Sequence, residues 1–194
     1  MSSREKILSA ITAAQTAFVE APVISIEKGI ATIDLVKKFV QILENIGGKA
    51  VYANGFESVK EDLNQSIKDG GYIVNTLPEI GIVNPEVNAD NDAVFLEPVY
   101  KAYIRGELGV AENGSIWLYE SQMVNRLLPF ICQHLILVIE AKSIVGDMHD
   151  AYAQLDVSKE GYGVFLAGPS KTADIEQSLV IGAHGARSLV VYLV

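Results

Sequence analysis

The sequence predicts an α/β protein with a mostly parallel sheet and helices on both faces. Apolar runs of strand length alternate with segments whose apolar residues recur at helical spacing, which is typical of βαβ units. Two runs, residues 135–139 and 189–194, are continuously apolar, as expected for strands covered on both faces. The chain has 194 residues, of which 49% are apolar and 20% charged, so it can bury a core without disulfides.

Two helices are predicted before the first strand. Residues 4–18 carry apolar side chains at helical spacing and are followed by the helix-breaking pair Ala21-Pro22. Residues 30–46 follow the i, i+3, i+4, i+7 rule, and Gly47-Gly48 ends the segment. We therefore expect an N-terminal helical segment over about residues 1–46.

A strand, a helix and a second strand are predicted next. Residues 49–53 form a short apolar run, and residues 57–68 have helical periodicity. Gly70-Gly71 ends this helix, and the apolar run at 72–75 begins the next strand.

The pattern is different from residue 77 to 98, where proline, asparagine, aspartate and glycine dominate. We expect a surface loop there, around a short strand at residues 94–96. Beyond it, apolar runs predict strands and helical spacing predicts helices. The strands are residues 114–119, 135–139, 162–167 and 189–194, and the helices are residues 122–128, 145–155 and 173–180. No internal repeat or linker is visible, so we expect one domain over residues 1–194.

The charge and the N-terminus limit the partners and the compartment. The net charge is -9, and an acidic surface repels phosphate backbones, so nucleic acid and anionic membranes are not expected as partners. A small anionic substrate remains compatible with a local cation inside a pocket. The first residues are polar and charged, without a signal peptide, and the longest apolar segment, residues 127–139, is too short to span a bilayer. We expect a cytoplasmic protein.

The single cysteine, Cys132, limits the redox chemistry of the chain. It excludes a disulfide within the chain and an iron–sulfur cluster held by four of the chain's own thiolates. Because no two histidines stand at i, i+4 and no Cys/His cluster exists, no metal site is predicted. Neither a Gly-x-Gly-x-x-Gly nor a Walker-type motif is present, so no cofactor bound by this chain is expected.

The first candidate site is a strand followed by the turn Gly168-Pro169-Ser170 and a predicted helix start. Gly168 permits close backbone approach, and Ser170 or Thr172 can accept a hydrogen bond from an orphan helix N–H. One interpretation is a well-capped helix after a buried strand. The other is a ligand at the C-terminal edge of the sheet. Asp174 in the first turn would repel a polyphosphate, so a carboxylate or hydroxyl ligand is favoured.

The second candidate is the link between the last predicted helix and strand. Glycines, including Gly185, flank His184 and leave its imidazole unhindered. Arg187 is a permanent cation that can hold a carboxylate with two hydrogen bonds. The alternatives are a surface or structural histidine and a member of a site.

The third candidate is the segment Glu112-Asn113-Gly114-Ser115. Asn-Gly is a common turn dipeptide, so a simple turn before a strand is one interpretation. The alternative is a carboxylate held at a sheet edge as nucleophile or general base. His134, where the strand at 135–139 begins, is either a satisfied core histidine or a member of a site.

These segments resemble the LUD domain family, the LutC/YkgG-like proteins. The resemblance covers the C-terminal signature at residues 167–176 with Gly182-Ala183-His184-Gly185. Upstream, residues 111–115 resemble the family's Ala-Glu-Thr-Gly-Thr element, and residues 134–136 resemble its His-Ile strand start. The resemblance implies a NagB/RpiA/CoA-transferase-like fold and a part in oxidising L-lactate to pyruvate alongside LutA- and LutB-like iron–sulfur proteins. This subunit would itself carry no cluster.

Two departures from the family pattern leave the mechanism open. Ala186 stands where a proline is common, and Asn113 replaces a threonine. The second departure makes residues 112–114 similar to the Glu-Asn-Gly element of CoA transferases, whose glutamate forms a thioester with CoA. We therefore consider an accessory subunit of a lactate-oxidising complex, and a CoA-transferase-like or other small-carboxylate enzyme with Glu112 as nucleophile and His184 as acid/base. A ligand-sensing regulatory domain is the third hypothesis.

Overall fold

The computed structural model describes residues 2–22, 34–84, 86–158, 160–173, 179–182 and 185–194. The chain divides into two compact units, Met1–Thr32 and Ile33–Val194. The first unit contains helix α1 (Ser3–Ala13), whose start is a capping box: the Ser2 hydroxyl accepts from the Glu5 N–H, and the Glu5 carboxylate accepts from the Ser2 N–H. The predicted helix over residues 4–18 is five residues too long, since α1 ends at Ala13.

The second unit contains helices and strands in alternation. Its helices are α2 (Leu35–Asn45), α3 (Glu57–Lys68), α4 (Ala93–Leu96), α5 (Glu120–Met123), α6 (Leu128–Ile131) and α7 (Met148–Gln154), with a 3₁₀ turn at Ala141–Ser143. Its strands are β1 (Lys49–Tyr52), β2 (Tyr72–Asn75), β3 (Val99–Arg105), β4 (Leu108–Val110), β5 (Ser115–Tyr119), β6 (His134–Ile139), β7 (Ile144–Val145), β8 (Gly163–Ala167), β9 (Lys171–Ala173), β10 (Leu179–Ile181) and β11 (Ser188–Leu193). Among the described residues, no helix combines the length and the apolar character needed to cross a membrane.

A five-stranded parallel sheet in the order β1-β11-β6-β3-β2 forms the centre of the second unit. The predicted α/β class with a mostly parallel sheet is therefore confirmed. β11, the last strand in the sequence, lies between β1 and β6, and its continuous apolar run fits a strand that is covered on both faces.

A second sheet, in the order β7-β4-β5-β8, packs beside the first. Here β5 is antiparallel to both β4 and β8, and β7 is parallel to β4. Strands β9 and β10 form a separate antiparallel pair. The strand predicted at 162–167 therefore belongs to the antiparallel sheet, because β5 offers it a partner that the sequence pattern does not identify.

Three apolar clusters hold these layers together. The first joins α2, one face of the parallel sheet and the second sheet, with Phe39, Leu137 and Ile116 fully buried. The second lies between α3 and the other face of the parallel sheet and includes Leu63 and Tyr103. The third lies between the second sheet and α7. The parallel sheet thus has α3 on one face and α2 with the second sheet on the other.

Several sequence predictions need correction. Residues 94–96 lie in the short helix α4 instead of a strand, since Asp92 caps its start by accepting from the Phe95 N–H at 2.9 Å. The helix predicted over residues 173–180 is wrong at both ends, because Ala173 pairs with Leu179 in the β9–β10 pair. Residues 174–178 lie outside the described residues.

Candidate functional site

The turn after β8 is held close to the end of α2. Gly168 has φ +72°, and a Cβ there would lie 2.8 Å from the carbonyl oxygen of Ile46. The Lys171 ammonium group donates to the same carbonyl. The backbone of Ser170 continues the arrangement: its N–H donates to the Ala186 carbonyl at 2.9 Å, and its own carbonyl accepts from the Gly182 N–H at 3.1 Å.

The loop before β11 meets this turn. A Cβ on Gly182, whose φ is +77°, would lie 2.4 Å from Cγ of Arg187, and a Cβ on Gly185 would lie 3.0 Å from Cβ of Ser170. The Arg187 N–H donates to the Gln133 carbonyl at 2.8 Å. The structure therefore brings Ser170, Gly182, Gly185 and Arg187 together. They lie at the N-terminal edge of the parallel sheet, where β11 begins, and not at the C-terminal edge that we expected.

A cavity of about 570 Å³, the loop cavity, opens beside this loop. It is lined by Leu127, Phe130, Ile131, Cys132, Gln133, Gly182, Gly185 and Arg187. Arg187 is exposed, and none of the described carboxylates forms an ion pair with it, whereas Lys101, Arg105 and Arg126 each have an acidic partner. The cavity thus combines an apolar wall with one guanidinium group available to an anion.

Glu112 lies in the hairpin turn between β4 and β5 and interacts with α7. Its carboxylate accepts from the N–H of Met148, the first residue of α7, at 3.1 Å, where the helix dipole favours a negative charge. The Asn113 side-chain carbonyl accepts from both the N–H and the hydroxyl of Ser115, at 3.0 and 2.6 Å. Gly114, with φ +70°, packs against the backbone of α2. These contacts make the segment a well-satisfied turn.

The strand register relates the two sets of predicted residues. Because Ser115 pairs with Ala167, the turns at Gly114 and Gly168 leave the same end of the second sheet, and both glycines lie against Ile46. The Glu112 carboxylate is bonded to Met148, which follows β7 at the other outer edge of that sheet from β8. His184 and Asp174 lie outside the described residues. Thr172 pairs with Val180 through its backbone, and its side chain is not described.

A second cavity lies on the α3 face of the parallel sheet, at the N-terminal ends of its strands. This sheet-face cavity measures about 560 Å³. Its lining includes three residues that are paired with one another across β3, β6 and β11, namely Lys101, His134 and Ser188. These three residues form the polar row. His134 Nδ1 lies 2.7 Å from the Ser188 hydroxyl, and Tyr100 packs edge-on against the imidazole with 4.8 Å between ring centroids.

A partly buried polar network supports this row from the side of α3. Lys101 Nζ donates to the Ser66 hydroxyl at 2.7 Å and lies 3.5 Å from the Asp62 carboxylate. The same carboxylate accepts from the Tyr103 hydroxyl at 2.6 Å. Burial raises the pKa of Tyr103, and its bond to Asp62 raises it further, so the phenol stays protonated and continues to donate.

Charge and burial determine the states of His134 and Cys132. Burial lowers the pKa of His134, and the positive charges of Lys101 and Arg187 lower it further, so at neutral pH the imidazole is uncharged. Burial raises the pKa of the Cys132 thiol to about 12, which leaves it protonated and unsuited to metal binding. Among the described residues, no group of three histidine, cysteine or acidic side chains is arranged to hold a metal.

Sequence reasoning singled out His134 but missed its partners. Lys101 and Ser188 are ordinary polar residues in their own segments, and only the strand register places them beside His134. Asp62 and Ser66 lie one helical turn apart on α3. The sequence shows polar residues at the starts of apolar strands, but it does not show the order of those strands in the sheet.

The fold and this loop arrangement define an α/β protein with a glycine-rich loop at the N-terminal edge of its parallel sheet. Residues 100–194, which run from β3 through β11, match the family model described as the LUD domain. Over these residues, which make up just under half of the chain, it is similar to the LUD domain family.

Curated relatives are similar over part of the chain. Lactate utilization protein C of Bacillus pumilus is 31% identical over 117 residues, which is 57% of this chain and 49% of that protein. Lactate utilization protein C of Geobacillus thermodenitrificans is 33% identical over 85 residues, 41% of this chain and 35% of that protein. An uncharacterized protein of Neisseria meningitidis is 30% identical over 100 residues, 50% of this chain and 43% of that protein. The chain thus spans about half or less of the length of these relatives.

The crystal structure of a DUF162 family protein from Deinococcus radiodurans has the same fold. The superposition has a TM-score of 0.61 and covers 82% of this chain and 96% of that chain, at 15% sequence identity. The narrower NagB/RpiA/CoA-transferase-like label stays a prediction.

Proposed function

We propose that this chain is a C-type component of a lactate-utilisation system that oxidises L-lactate to pyruvate, and that it binds the small carboxylate in the loop cavity. The observation that carries this proposal is the guanidinium group of Arg187 in a glycine-lined cavity without an acidic partner among the described residues. The resemblance to proteins named lactate utilization protein C supports the choice of substrate.

The loop cavity suits the two ends of a short hydroxy acid. The planar guanidinium of Arg187 can hold a carboxylate through two parallel hydrogen bonds. Phe130 and Ile131 provide an apolar wall for a methyl group. Since Gly182 and Gly185 carry no side chains, a ligand can approach the loop backbone closely. His184 belongs to the same loop by sequence, and we keep it as the candidate base for the substrate hydroxyl.

The electrons must pass to another component. Oxidation of lactate to pyruvate removes two electrons and two protons, and this chain has a single cysteine, which is buried and protonated at neutral pH. Its own thiolates therefore cannot hold a four-cysteine cluster. LutA- and LutB-like iron–sulfur proteins are the proposed acceptors. The volume of the loop cavity, about 570 Å³, exceeds that of a three-carbon acid and leaves room for a group from such a partner.

Arg187→Met is expected to weaken lactate and pyruvate binding, measured by isothermal titration calorimetry. Hydrogen bonds to charged groups contribute about 1.5–3 kcal/mol, so the affinity should fall roughly ten- to a hundredfold. Arg187→Lys should lie in between, because it keeps the charge and loses the planar fork. Arg4→Met, at an exposed position of α1, is the matched control and should bind like the native chain. Equal affinity in Arg187→Met and the native chain would exclude the loop cavity as the carboxylate site.

A tagged copy of the chain, purified from the organism that encodes it, tests the partner proposal separately. We expect iron–sulfur proteins to copurify, recognised by their visible absorbance and by mass spectrometry. If no iron-containing protein copurifies with the tagged chain, the proposed electron route is contradicted. The binding result at the loop cavity would still be valid.

A further inference from the structure

The side chains that line the sheet-face cavity have no role in the proposed function. Its floor consists of side chains from β1, β11 and β6, and its polar residues are concentrated in the row at the strand starts. The face of a parallel sheet is ordinarily apolar and covered by helices. In this structure α3 covers part of the face, and the row of Lys101, His134 and Ser188 opens into the remaining space.

The polar row is organised before any ligand arrives. Ser66, which is 6% exposed, and Asp62 hold the ammonium group of Lys101. Ser188 holds the imidazole of His134, and Tyr100 packs against its edge. In the tautomer in which Ser188 donates to Nδ1, the ring proton lies on Nε2, which has no hydrogen-bond partner among the described residues. Groups fixed in this way lose little conformational freedom on binding.

The charged residues that line the cavity balance in number, with Lys49 and Lys101 against Asp62 and Asp69. Both aspartates are already engaged: Asp62 by Lys101 and the Tyr103 hydroxyl, and Asp69 by Gln65 on the exposed surface. Among the described residues, the charges that lower the pKa of His134 are those of Lys101 and Arg187, so the potential at the imidazole attracts a negative group.

The remaining lining is apolar and aromatic. Val51, Ile136, Val190 and the ring of Tyr192 continue the floor beyond the polar row. A cavity of about 560 Å³ lies in the range of ligand sites that bind a small organic molecule. A bare inorganic anion would leave this apolar floor without a partner.

We propose that the sheet-face cavity binds a small organic anion, with its acid group on Lys101 and the His134–Ser188 pair and its apolar body over Val51, Ile136 and Val190. A carboxylate and a phosphate ester share the necessary chemistry. This site is separate from the loop cavity, since the two cavities share no lining residue.

Nuclear magnetic resonance of the imidazole groups tests the proposal on the full chain. The probes are phenylacetate and phenyl phosphate, which carry an apolar body, with acetate and inorganic phosphate as the matched anions without one. The chain has three histidines, and His134→Gln identifies the signals of His134. We expect saturable shifts of those signals with one or both aromatic probes, at an affinity at least tenfold higher than with the corresponding bare anion. The aromatic probe that binds with the higher affinity shows whether the site prefers a carboxylate or a phosphate.

Variants connect the signal to the proposed contacts. Lys101→Met should lower the affinity at least tenfold, and Lys142→Met, an exposed lysine outside the cavity, should leave it unchanged. Because loss of Lys101 leaves Asp62 partly buried without its cation, Ser188→Ala is a milder second variant with an expected severalfold loss. Arg187→Met removes one of the positive charges that act on His134 but no side chain of the lining, so it should weaken binding less than Lys101→Met does. Unshifted His134 signals with both aromatic probes, or equal affinities in the native chain, Lys101→Met and Ser188→Ala, would overturn the proposal.

Discussion

Val191→Asp is expected to prevent folding of the second unit. Val191 is fully buried at the centre of β11, between Ala50 of β1 and Leu137 of β6. An unpaired carboxylate at such a position costs several kcal/mol after relaxation, and typical domains have a total stability of only about 5–15 kcal/mol. Far-UV circular dichroism and urea unfolding should show a chain without a cooperative transition at neutral pH.

Val157→Asp is the matched control for this substitution. Val157 is 58% exposed, so the same change of side chain places the charge in water, and the effect on stability should be within about 0.5 kcal/mol. A cooperative Val191→Asp protein with a native urea midpoint would show that β11 is not an interior strand. The same result would contradict the order of the parallel sheet.

Gly106→Val is expected to destabilise the junction between the two sheets. Gly106 connects β3 to β4: its N–H donates to Val138 of the parallel sheet, and the next N–H, of Glu107, donates to Trp117 of the second sheet. A Cβ at Gly106 would lie 2.5 Å from Cγ2 of Ile116 and 2.6 Å from Cγ2 of Ile139. Both isoleucines are fully buried and have no free space into which to move.

The expected cost of this overpacking is about 1–3 kcal/mol. For a domain of this size it should lower Tm by roughly 2–4 °C per kcal/mol, as measured by scanning calorimetry. Gly161→Val is the control, because a Cβ there has its nearest neighbours at 3.9 Å, at the ends of the flexible side chains of Arg126 and Glu120. If the two valine variants melt at the same temperature, the sheets do not meet tightly at Gly106.

The sequence predicted those helices and strands whose periodicity or apolar run lies within their own residues. Helix α3 begins and ends where its periodicity and the following glycines indicated. The apolar runs of β6 and β11 were recognised because strands covered on both faces need no polar alternation. For β11 this reasoning predicted cover on both faces, and the strand order places it inside the sheet.

The second sheet was not predicted, because its existence depends on pairings between distant segments. In the parallel sheet, β3 was missed as well, because it carries polar residues such as Tyr100 and Lys101 at its start and its apolar run is shorter than the strand. β9 and β10 are three residues each, and the segment that contains them has enough helical character to predict a helix instead. Tertiary pairing decides such short segments.

The candidate site shows the same division. The glycines and the arginine of the loop before β11 were identifiable from composition, since Gly182 and Gly185 allow a close approach that side chains would block. The neighbours of His134 depend on the register of three strands, which a single sequence does not determine. The contact of Glu112 with the start of α7 likewise joins residues 36 positions apart.

Growth on lactate is the most direct test of the proposed role. We expect that deletion of the gene for this chain abolishes growth of its own organism on L-lactate as sole carbon source. The native gene should restore growth, Arg4→Met should do the same, and Arg187→Met should not, although all three proteins accumulate to equal levels. Unimpaired growth of the deletion strain on lactate, with pyruvate formed at the parental rate, would contradict the proposal that this chain acts in lactate oxidation.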